Sequence, residues 1–387
     1  MVKSTKLKLP FILFILISLY SYNDFITSEQ AGFAIGQNRI RVYLFLLLII
    51  FVQFSYLFFR IKDRVVYDRD SVSPILVVLL LWIGFVNIFN GRPLWISSIH
   101  YFLIIWWIIC FLFNRKYVNN NLLYFNQYLL CYLLLFGVYV IFNLWARRNI
   151  FAYTERNMAI TGYSYYMVVF LPFFFLIEKK WMRVLLFSVA LVIIATSLKR
   201  GPILVTPCML LVYYVVKARI GKTNVTAPLK VLALSFVLFA LFLWANSFTN
   251  GALFDRFSAD ELESGSGRTE MWQTALSDID QRDYLTFLIG RGSGSTIDLL
   301  QTGAHNEWIE FLYCFGAVGV VLYALFCIKL ILIMKRSIKR KDFYAPELSM
   351  MVFFCLLSGL FSGFIFQYTS FYFFSFIGIC QGLNKEH

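Results

Sequence analysis

Apolar runs of about 15 to 25 residues recur along this sequence, and no other feature restricts its fold as strongly. A helix needs roughly 20 apolar residues to cross the hydrocarbon core of a bilayer. Helices can cross it because they pair all of their own backbone groups. Only 14% of the residues are charged, against about 25% in soluble domains. The sequence therefore predicts an all-α, polytopic integral membrane protein and excludes a soluble enzyme.

About twelve transmembrane helices are predicted, and together they make residues 1–387 a single membrane domain. The first apolar stretch, residues 9–22, follows three lysines as a signal peptide would, but no small-residue cleavage site comes after it. It is interpreted as a retained helix. One connection is long, the predicted periplasmic loop 248–304 between helices 9 and 10. The predicted spans are 9–26, 42–59, 72–89, 94–113, 122–145, 163–177, 184–198, 201–216, 231–247, 306–334, 347–366 and 368–382.

The basic residues test this arrangement, because cytoplasmic loops of membrane proteins carry an excess of Lys and Arg. With a cytoplasmic N-terminus, 23 of the 35 basic residues fall on the cytoplasmic side. Of the other 12, 11 are arginine and Lys199 is the single lysine. Two explanations of this excess of arginine stay open. Either export of the chain selects against lysine on the outer side, or the outer face binds phosphate, which the guanidinium of arginine contacts through two hydrogen bonds. The prediction is a multi-pass protein of the inner membrane with both termini cytoplasmic and a periplasmic active site.

Two arginine motifs lie on the predicted outer side. The turn 197–202 joins two spans of only about 15 residues, so Arg200 would lie at the depth of lipid headgroups. The alternative is an ordinary tight loop with snorkelling cations. In the long loop, glycines at 265–267 lead through Arg268 into a helix predicted over 269–279. Such a helix start offers N–H groups and a guanidinium to an anion.

A second glycine-rich segment, residues 290–294, contains Arg291. It faintly resembles a nucleotide loop, but it follows no βαβ strand, and a flexible turn is the interpretation favoured. No metal site is predicted, because the acidic cluster at 255–263 has the spacing of no standard cation loop and the cysteines lie in apolar runs. The basic residues form no stripe with interleaved aromatics, so nucleic acid is not a predicted partner.

The third candidate motif is His305 with Asn306 and Glu307, which ends the long loop. A neutral imidazole at the membrane surface can take a proton from a sugar hydroxyl. The alternative is a surface histidine without a chemical role. His100, on an apolar helix, is expected to make a structural hydrogen bond.

Taken in order, these motifs resemble the bacterial O-antigen ligase and polymerase family. The resemblance rests on Lys199-Arg200-Gly201 before a span, Gly267-Arg268 with Trp272 in the long loop, and His305-Asn306-Glu307 followed by Glu310, Gly316 and Gly319. Twelve spans with a long loop between the ninth and tenth are similar to that family as well. The motifs cover residues 185–335 of the chain.

The resemblance implies a glycosyltransferase C-type-like bundle and a donor oligosaccharide linked to undecaprenyl diphosphate. By the same resemblance, Arg200 and Arg268 neutralise the diphosphate leaving group and His305 deprotonates the acceptor hydroxyl. Lys199, Arg291, Asn306 and Glu307 are interpreted as substrate-binding residues beside them. No metal and no cofactor are implied.

Three functions stay open at this point. The favoured one is a repeat-unit polymerase of O-antigen or a related surface polysaccharide, whose acceptor is also lipid-linked. The second is a ligase that transfers the glycan to lipid A core. The third is a flippase or carrier of lipid-linked sugar, which the absence of ionisable residues from the middle of the spans disfavours. Further partners are membrane lipids and, for a polymerase, a chain-length regulator or other glycan-assembly proteins.

Overall fold

Helices form the regular structure throughout the described part of this computed structural model. The structure describes residues 8–30, 40–59, 72–92, 94–154, 164–221, 227–255, 257–258, 268–363, 365 and 369–383. A short 3-10 turn, Leu122–Tyr124, precedes the fifth helix. The α-helices of these ranges are α1 Lys8–Gln30, α2 Ile40–Phe58, α3 Ser73–Phe89, α4 Leu94–Asn120, α5 Phe125–Thr154, α6 Ser164–Phe175, α7 Lys180–Ala195, α8 Arg200–Arg219, α9 Ala227–Phe248, α10 Ala252–Asp255, α11 Arg268–Asp280, α12 Tyr284–Ile289, α13 Ser295–Leu300, α14 Glu307–Arg340, α15 Ala345–Phe361 and α16 Thr369–Leu383.

The predicted all-α class is confirmed, and each of the predicted spans overlaps one of these helices. Three segments of the described chain are both long enough and apolar enough to cross a bilayer: Leu122–Trp145, Arg200–Arg219 and Glu307–Arg340. Several other apolar helices are shorter, among them Ser73–Phe89 and Ala345–Phe361. The chain is therefore a helical membrane protein, and the number of twelve crossings remains a prediction.

Helix α3 shows how such a helix packs although nearly all of its side chains are apolar. It begins with a proline in its first turn, where the missing N–H has no helical partner to lose. Leu81 and Ile88 lie on an exposed side of the helix and are 68% and 81% exposed. The exposed side has the apolar side chains that suit contact with lipid, and the opposite side packs against the protein. The buried side consists of Leu76, Leu79, Ile83 and Val86.

The chain forms two compact units. In the first unit, α1 packs on α2 and α5, α5 packs on α6, and α6 packs on α7. Aromatic rings fill this core, for example Tyr132 stacked on Phe173 with 5.1 Å between ring centroids. The Tyr139 hydroxyl finds its partner in the Ser21 hydroxyl at 2.8 Å, as a buried polar group requires. The first unit comprises Met1–Val65, Ile109–Pro202 and Ser375–His387.

The second unit comprises Val66–Ile108 and Ile203–Phe374. Its central element is α14, which packs on α3, α12 and α15, while α11 and α13 pack on each other and on α14. The short helices α11 to α13 all belong to the predicted long loop, so this loop is folded against α14. Arg268, Arg291 and His305 lie in this unit, whereas Lys199 and Arg200 lie in the first.

Candidate active site

One face of α11 is turned towards α14. Ala275 and Ile279 are buried in a cluster with Tyr313 of α14. Together with Arg268 and Trp272 they form a row with spacings of four, three and four residues. These spacings match the helical period, so all four side chains lie on the face of α11 that is turned towards α14. The apolar half fixes the helix and leaves an arginine and a tryptophan side by side at its N-terminal end. The row consists of Arg268, Trp272, Ala275 and Ile279.

The predicted helix over 269–279 is thus confirmed as Arg268–Asp280. The glycines at 265–267 that precede it lie outside the described residues, as does the side chain of His100.

The C-terminal end of α15 binds two of the predicted site residues. Arg268 Nη1 donates to the Phe361 carbonyl at 2.9 Å, and Asn306 Nδ2 donates to the neighbouring Leu360 carbonyl at 3.2 Å. The last carbonyls of a helix lack helical partners and carry partial negative charge, which suits these donors. The structure therefore brings Arg268 and Asn306 together at one helix end.

Asn306 also determines where α14 begins. Its Oδ1 accepts hydrogen bonds from the Trp308 N–H at 2.9 Å and the Ile309 N–H at 3.2 Å, which makes it the N-cap. His305, one residue earlier, has a φ of 52°. This left-handed conformation is uncommon for a residue with a side chain. The predicted base therefore lies on a tightly defined turn at the start of the helix.

The residue before His305 is hydrogen-bonded on both of its sides. Trp272 Nε1 donates to the Ala304 carbonyl at 2.7 Å. Glu310 Oε2 accepts the Ala304 N–H at 2.9 Å, and its Oε1 accepts the Thr296 hydroxyl. Side chains from α11 and α14 thus bind Ala304, and Thr296 of α13 binds the Glu310 carboxylate in turn.

Glu307 has a structural partner in the segment after α15. Only 1% of this residue is exposed, and its Oε1 accepts the Ile365 N–H at 3.1 Å. The Ile365 carbonyl in turn accepts Trp107 Nε1 at 2.7 Å. Glu307 therefore fixes the chain beyond α15, and its contact with substrate stays a prediction.

Helix α14 is broken at Gly316. The backbone angles there, φ 68° and ψ −172°, belong to a region that is essentially restricted to glycine. Because of the break, three preceding carbonyls lose their hydrogen bonds from N–H groups of the helix. Buried carbonyls need hydrogen-bond donors, so other groups must replace these N–H groups. The replacing donors are Arg282 Nη1 and the Arg291 N–H at Tyr313 O, the Gly292 N–H at Cys314 O and Trp82 Nε1 at Phe315 O, at 2.7 to 3.3 Å.

The glycine-rich turn 290–294 lies against this break. A Cβ on Gly290 would be 2.5 Å from the Gly316 nitrogen, so the two backbones touch directly. On its other side, Asn87 accepts the Ser293 N–H at 2.8 Å and donates to the Ser293 hydroxyl at 3.0 Å. The interpretation of this segment as a flexible turn is corrected, because its glycines serve close backbone packing and not motion.

Two arginines share one carboxylate at the C-terminal end of α11. Asp278 binds Arg282 at 2.9 Å and Arg291 at 3.2 Å, and the Arg282 guanidinium lies 3.9 Å from the centre of the Tyr313 ring. Burial acts to raise the pKa of Asp278, but hydrogen bonds from Arg282 and Tyr313 and the charge of Arg291 bring this pKa below its ordinary value. The carboxylate therefore stays ionised at neutral pH and holds Arg291.

A polar cavity of about 510 Å³ opens beside these ion pairs. The Arg291 side chain is 43% exposed there. Among the described residues, only its Nη1 has hydrogen-bond partners, Asp278 and the Tyr313 hydroxyl. The remaining guanidinium N–H groups are available to a ligand. Other residues that line the cavity are Asn90, Arg92, Gln281, Asp283 and Thr286.

Arg200 is the first residue of α8 and belongs to the first unit. The turn before it contains Leu198 in a left-handed conformation with a φ of 55°. The next residue, Gly201, is confined by Tyr165, whose hydroxyl occupies the position of a Cβ. The first turn of α8 contains no acidic residue. Lys199, Arg200 and the positive end of the helix dipole therefore lie together at this turn.

Sequence reasoning gave no role to two side chains that build the second unit. Trp82 donates to the broken helix, and Arg92 binds the Arg291 carbonyl at 2.7 Å and the Asp298 carboxylate. Trp82 lies inside an apolar run and belongs to none of the sequence motifs. Its indole N–H was the available signal, because a donor of this kind needs an acceptor when it is removed from water.

Residues 184–324 match the family model described as O-antigen ligase. No curated protein matches the chain. The matched segment contains the turn at Arg200, the whole of α11 to α13, and α14 as far as its break and somewhat beyond. It therefore contains every residue that the sequence motifs singled out.

Proposed function

We propose that this chain is a repeat-unit polymerase of O-antigen or a related surface polysaccharide, and the match of residues 184–324 supports its place in the O-antigen ligase/polymerase family. It transfers a glycan from undecaprenyl diphosphate to a hydroxyl of a second lipid-linked glycan. The reaction takes place at the periplasmic face of the inner membrane.

The observation that carries this proposal is the meeting of Arg268 and Asn306 at the end of α15, one residue from His305. Glycosyl transfer from a diphosphate needs a cation at the leaving group and a base at the acceptor hydroxyl. The guanidinium of Arg268 and a histidine adjacent in the chain to Asn306 supply groups of these two kinds.

In the proposed reaction, the acceptor hydroxyl oxygen attacks the anomeric carbon of the donor glycan. The new C–O bond forms as the bond from that carbon to the diphosphate oxygen breaks, and its electron pair stays on the diphosphate. His305 takes the hydroxyl proton. Arg268 stabilises the negative charge that builds on the departing diphosphate, and a charged hydrogen bond contributes about 1.5 to 3 kcal/mol. The products are the elongated glycan and undecaprenyl diphosphate.

Arg200 and Lys199 are proposed to bind diphosphate as well. The support lies in their own surroundings, where two cations adjoin a helix start without a carboxylate in its first turn. This arrangement favours an anion through charge and through backbone N–H groups together.

Arg291 is proposed to bind the glycan and not the diphosphate. The charges around its cavity are balanced, because the three arginines Arg92, Arg282 and Arg291 are matched by the three aspartates Asp278, Asp283 and Asp298. A neutral, polar cavity with both donors and acceptors suits sugar hydroxyls, which need both.

Replacement of Arg291 by alanine is expected to raise the KM for the lipid-linked oligosaccharide about tenfold and to leave kcat within twofold. An exposed charged hydrogen bond to a remote part of the substrate contributes about 1.4 kcal/mol of binding in both ground and transition states. Initial rates at varied donor concentration measure this. Arg340→Ala is the matched control, since Arg340 is 51% exposed and pairs with Asp342 at the other end of α14. A fall in kcat without a change in KM would contradict the proposed glycan contact.

A ligase is the second candidate, because the matching family model carries that description. It uses the same donor and the same chemistry at the anomeric carbon, and only the acceptor differs. Lipid A core then replaces the second lipid-linked glycan.

The acceptor decides between the two. Purified protein is reconstituted with a synthetic undecaprenyl-diphosphate oligosaccharide as donor and acceptor, in the presence of EDTA, and the products are separated by size. A ladder of products that is lost in Arg200→Ala, Arg268→Ala and His305→Ala is the expected result for a metal-independent polymerase. Transfer that requires added lipid A core identifies a ligase. No transfer to either acceptor contradicts the proposed function.

A further inference from the structure

His305 owes its position to the two residues around it. Its left-handed φ of 52° is an unfavourable conformation for a residue with a Cβ, and such a conformation persists only where the surrounding structure holds it. The side chain direction of His305 follows from this backbone conformation. What fixes the backbone therefore fixes the proposed base.

On the N-terminal side, Trp272 and Glu310 hold both polar groups of Ala304. The Ala304 carbonyl belongs to the same peptide plane as the His305 nitrogen, and Trp272 Nε1 binds it at 2.7 Å. Glu310 Oε2 binds the Ala304 N–H in the preceding peptide plane at 2.9 Å. Two consecutive peptide planes are thus held from different helices, and rotation about the His305 N–Cα bond starts from a fixed plane.

On the C-terminal side, the capping residue Asn306 is held as well. Its side chain binds the Trp308 and Ile309 N–H groups and the Leu360 carbonyl. His305 lies between two anchored neighbours. The contacts of these two neighbours therefore hold its φ.

Glu310 is suited to this structural task and not to proton transfer. One carboxylate oxygen accepts the Ala304 N–H and the other accepts the Thr296 hydroxyl. A glutamine can keep both contacts, because its carbonyl accepts the N–H and its amide donates to the hydroxyl. The contacts require hydrogen-bonding geometry and no negative charge.

We propose that Trp272 and Glu310 are positioning residues that hold His305 in the left-handed conformation from which its imidazole reaches the acceptor hydroxyl. This rests on the proposed function, in which His305 is the base. Their effect on the rate passes through His305 alone. Small displacements of a reacting group reduce rates by up to about a hundredfold.

A double-mutant cycle tests this. Trp272→Phe keeps the aromatic ring and removes the N–H, and it is expected to lower kcat about 10-fold to 100-fold with KM within twofold. In the His305→Ala background the same substitution is expected to have no further effect, since the positioned group is gone. Trp244→Phe, at a tryptophan that is 47% exposed in α9, is the matched control and keeps wild-type rates. Losses that multiply in the double variant overturn the proposal.

Glu310 provides the second comparison. Glu310→Ala is expected to lower kcat to the same extent as Trp272→Phe, whereas Glu310→Gln is expected to stay within threefold of wild type. A Gln variant as inactive as the Ala variant would mean that the carboxylate charge itself is needed, and the positioning role would be wrong.

A readout that does not depend on activity separates this proposal from the proposed function. The chain contains three histidines, so selective 15N-histidine labelling gives three backbone signals, and His305→Ala assigns one of them. In Trp272→Phe this signal is expected to shift or broaden, and in Trp244→Phe it stays unchanged. An unchanged signal in Trp272→Phe overturns the proposal. A shifted signal in a protein that transfers no glycan upholds the positioning of His305 while the proposed function fails.

Discussion

Replacement of His305 by alanine is expected to lower kcat for glycosyl transfer by about 10² to 10⁴-fold, the usual contribution of a positioned base. The KM for the donor is expected to change little, because in the proposed function arginine binds the diphosphate and the imidazole does not. The fold should survive, since neither neighbour of His305 depends on its side chain: Ala304 is held by Trp272 and Glu310. Steady-state rates with the lipid-linked donor and acceptor measure the effect.

Two controls separate loss of the base from loss of the fold. His387→Ala changes a histidine far along the sequence from the site and is expected to keep wild-type rates. Added imidazole is expected to restore part of the activity of His305→Ala, because a free base can enter the space that the side chain leaves. A His305→Ala variant with wild-type kcat would show that another group takes the proton.

Replacement of Gly316 by alanine is expected to destabilise the protein by about 3 kcal/mol or more. The backbone region that Gly316 occupies costs a residue with a Cβ on the order of 1–3 kcal/mol. In addition, the new Cβ would collide with the Leu288 carbonyl and lie 2.6 Å from the Gly290 nitrogen. Both neighbours are backbone atoms, which cannot rotate away as a side chain can. The midpoint of thermal unfolding in detergent measures the loss.

The matched control is Gly137→Ala in α5. Nothing lies within 4 Å of a Cβ built on Gly137, and alanine is the better helix former by about 1 kcal/mol. This variant is expected to unfold at the same temperature as wild type or slightly above it. Equal unfolding temperatures for Gly316→Ala and wild type would mean that the break in α14 is not required.

The predictions that succeeded depend on local sequence. The length of an apolar run is visible without tertiary contacts, and so the helices could be located. The helix predicted over 269–279 was visible for a similar reason, since an amphipathic pattern repeats with the helical period. The proximity of His305 and Asn306 follows from their adjacency in the chain.

The long-range contacts that build the site could not be predicted from the local sequence pattern. Trp272 and Ala304 are 32 positions apart, and their hydrogen bond uses a backbone carbonyl that every residue has. The break at Gly316 depends on the approach of Gly290, which no periodicity records, so residues 306–334 were predicted as one span. Glycines at 290–294 have the same composition in a packed turn as in a mobile one. Only the partner across the contact distinguishes the two.

The break in α14 also divides the work of that helix. The 18 residues from 317 to 334, which precede the basic run at 335–341, form a helix of about 27 Å and fall within the range of about 17 to 25 residues that a spanning helix needs. The residues from 307 to 315 are therefore not needed to cross the bilayer, and their carboxylates, Glu307 and Glu310, need not enter lipid. In an unbroken helix, the segment with these carboxylates would continue straight from the membrane-crossing segment and could not turn to pack against α11 to α13. One glycine gives this chain a membrane-crossing helix and, in the same element, an arm whose carboxylates are hydrogen-bonded within the protein.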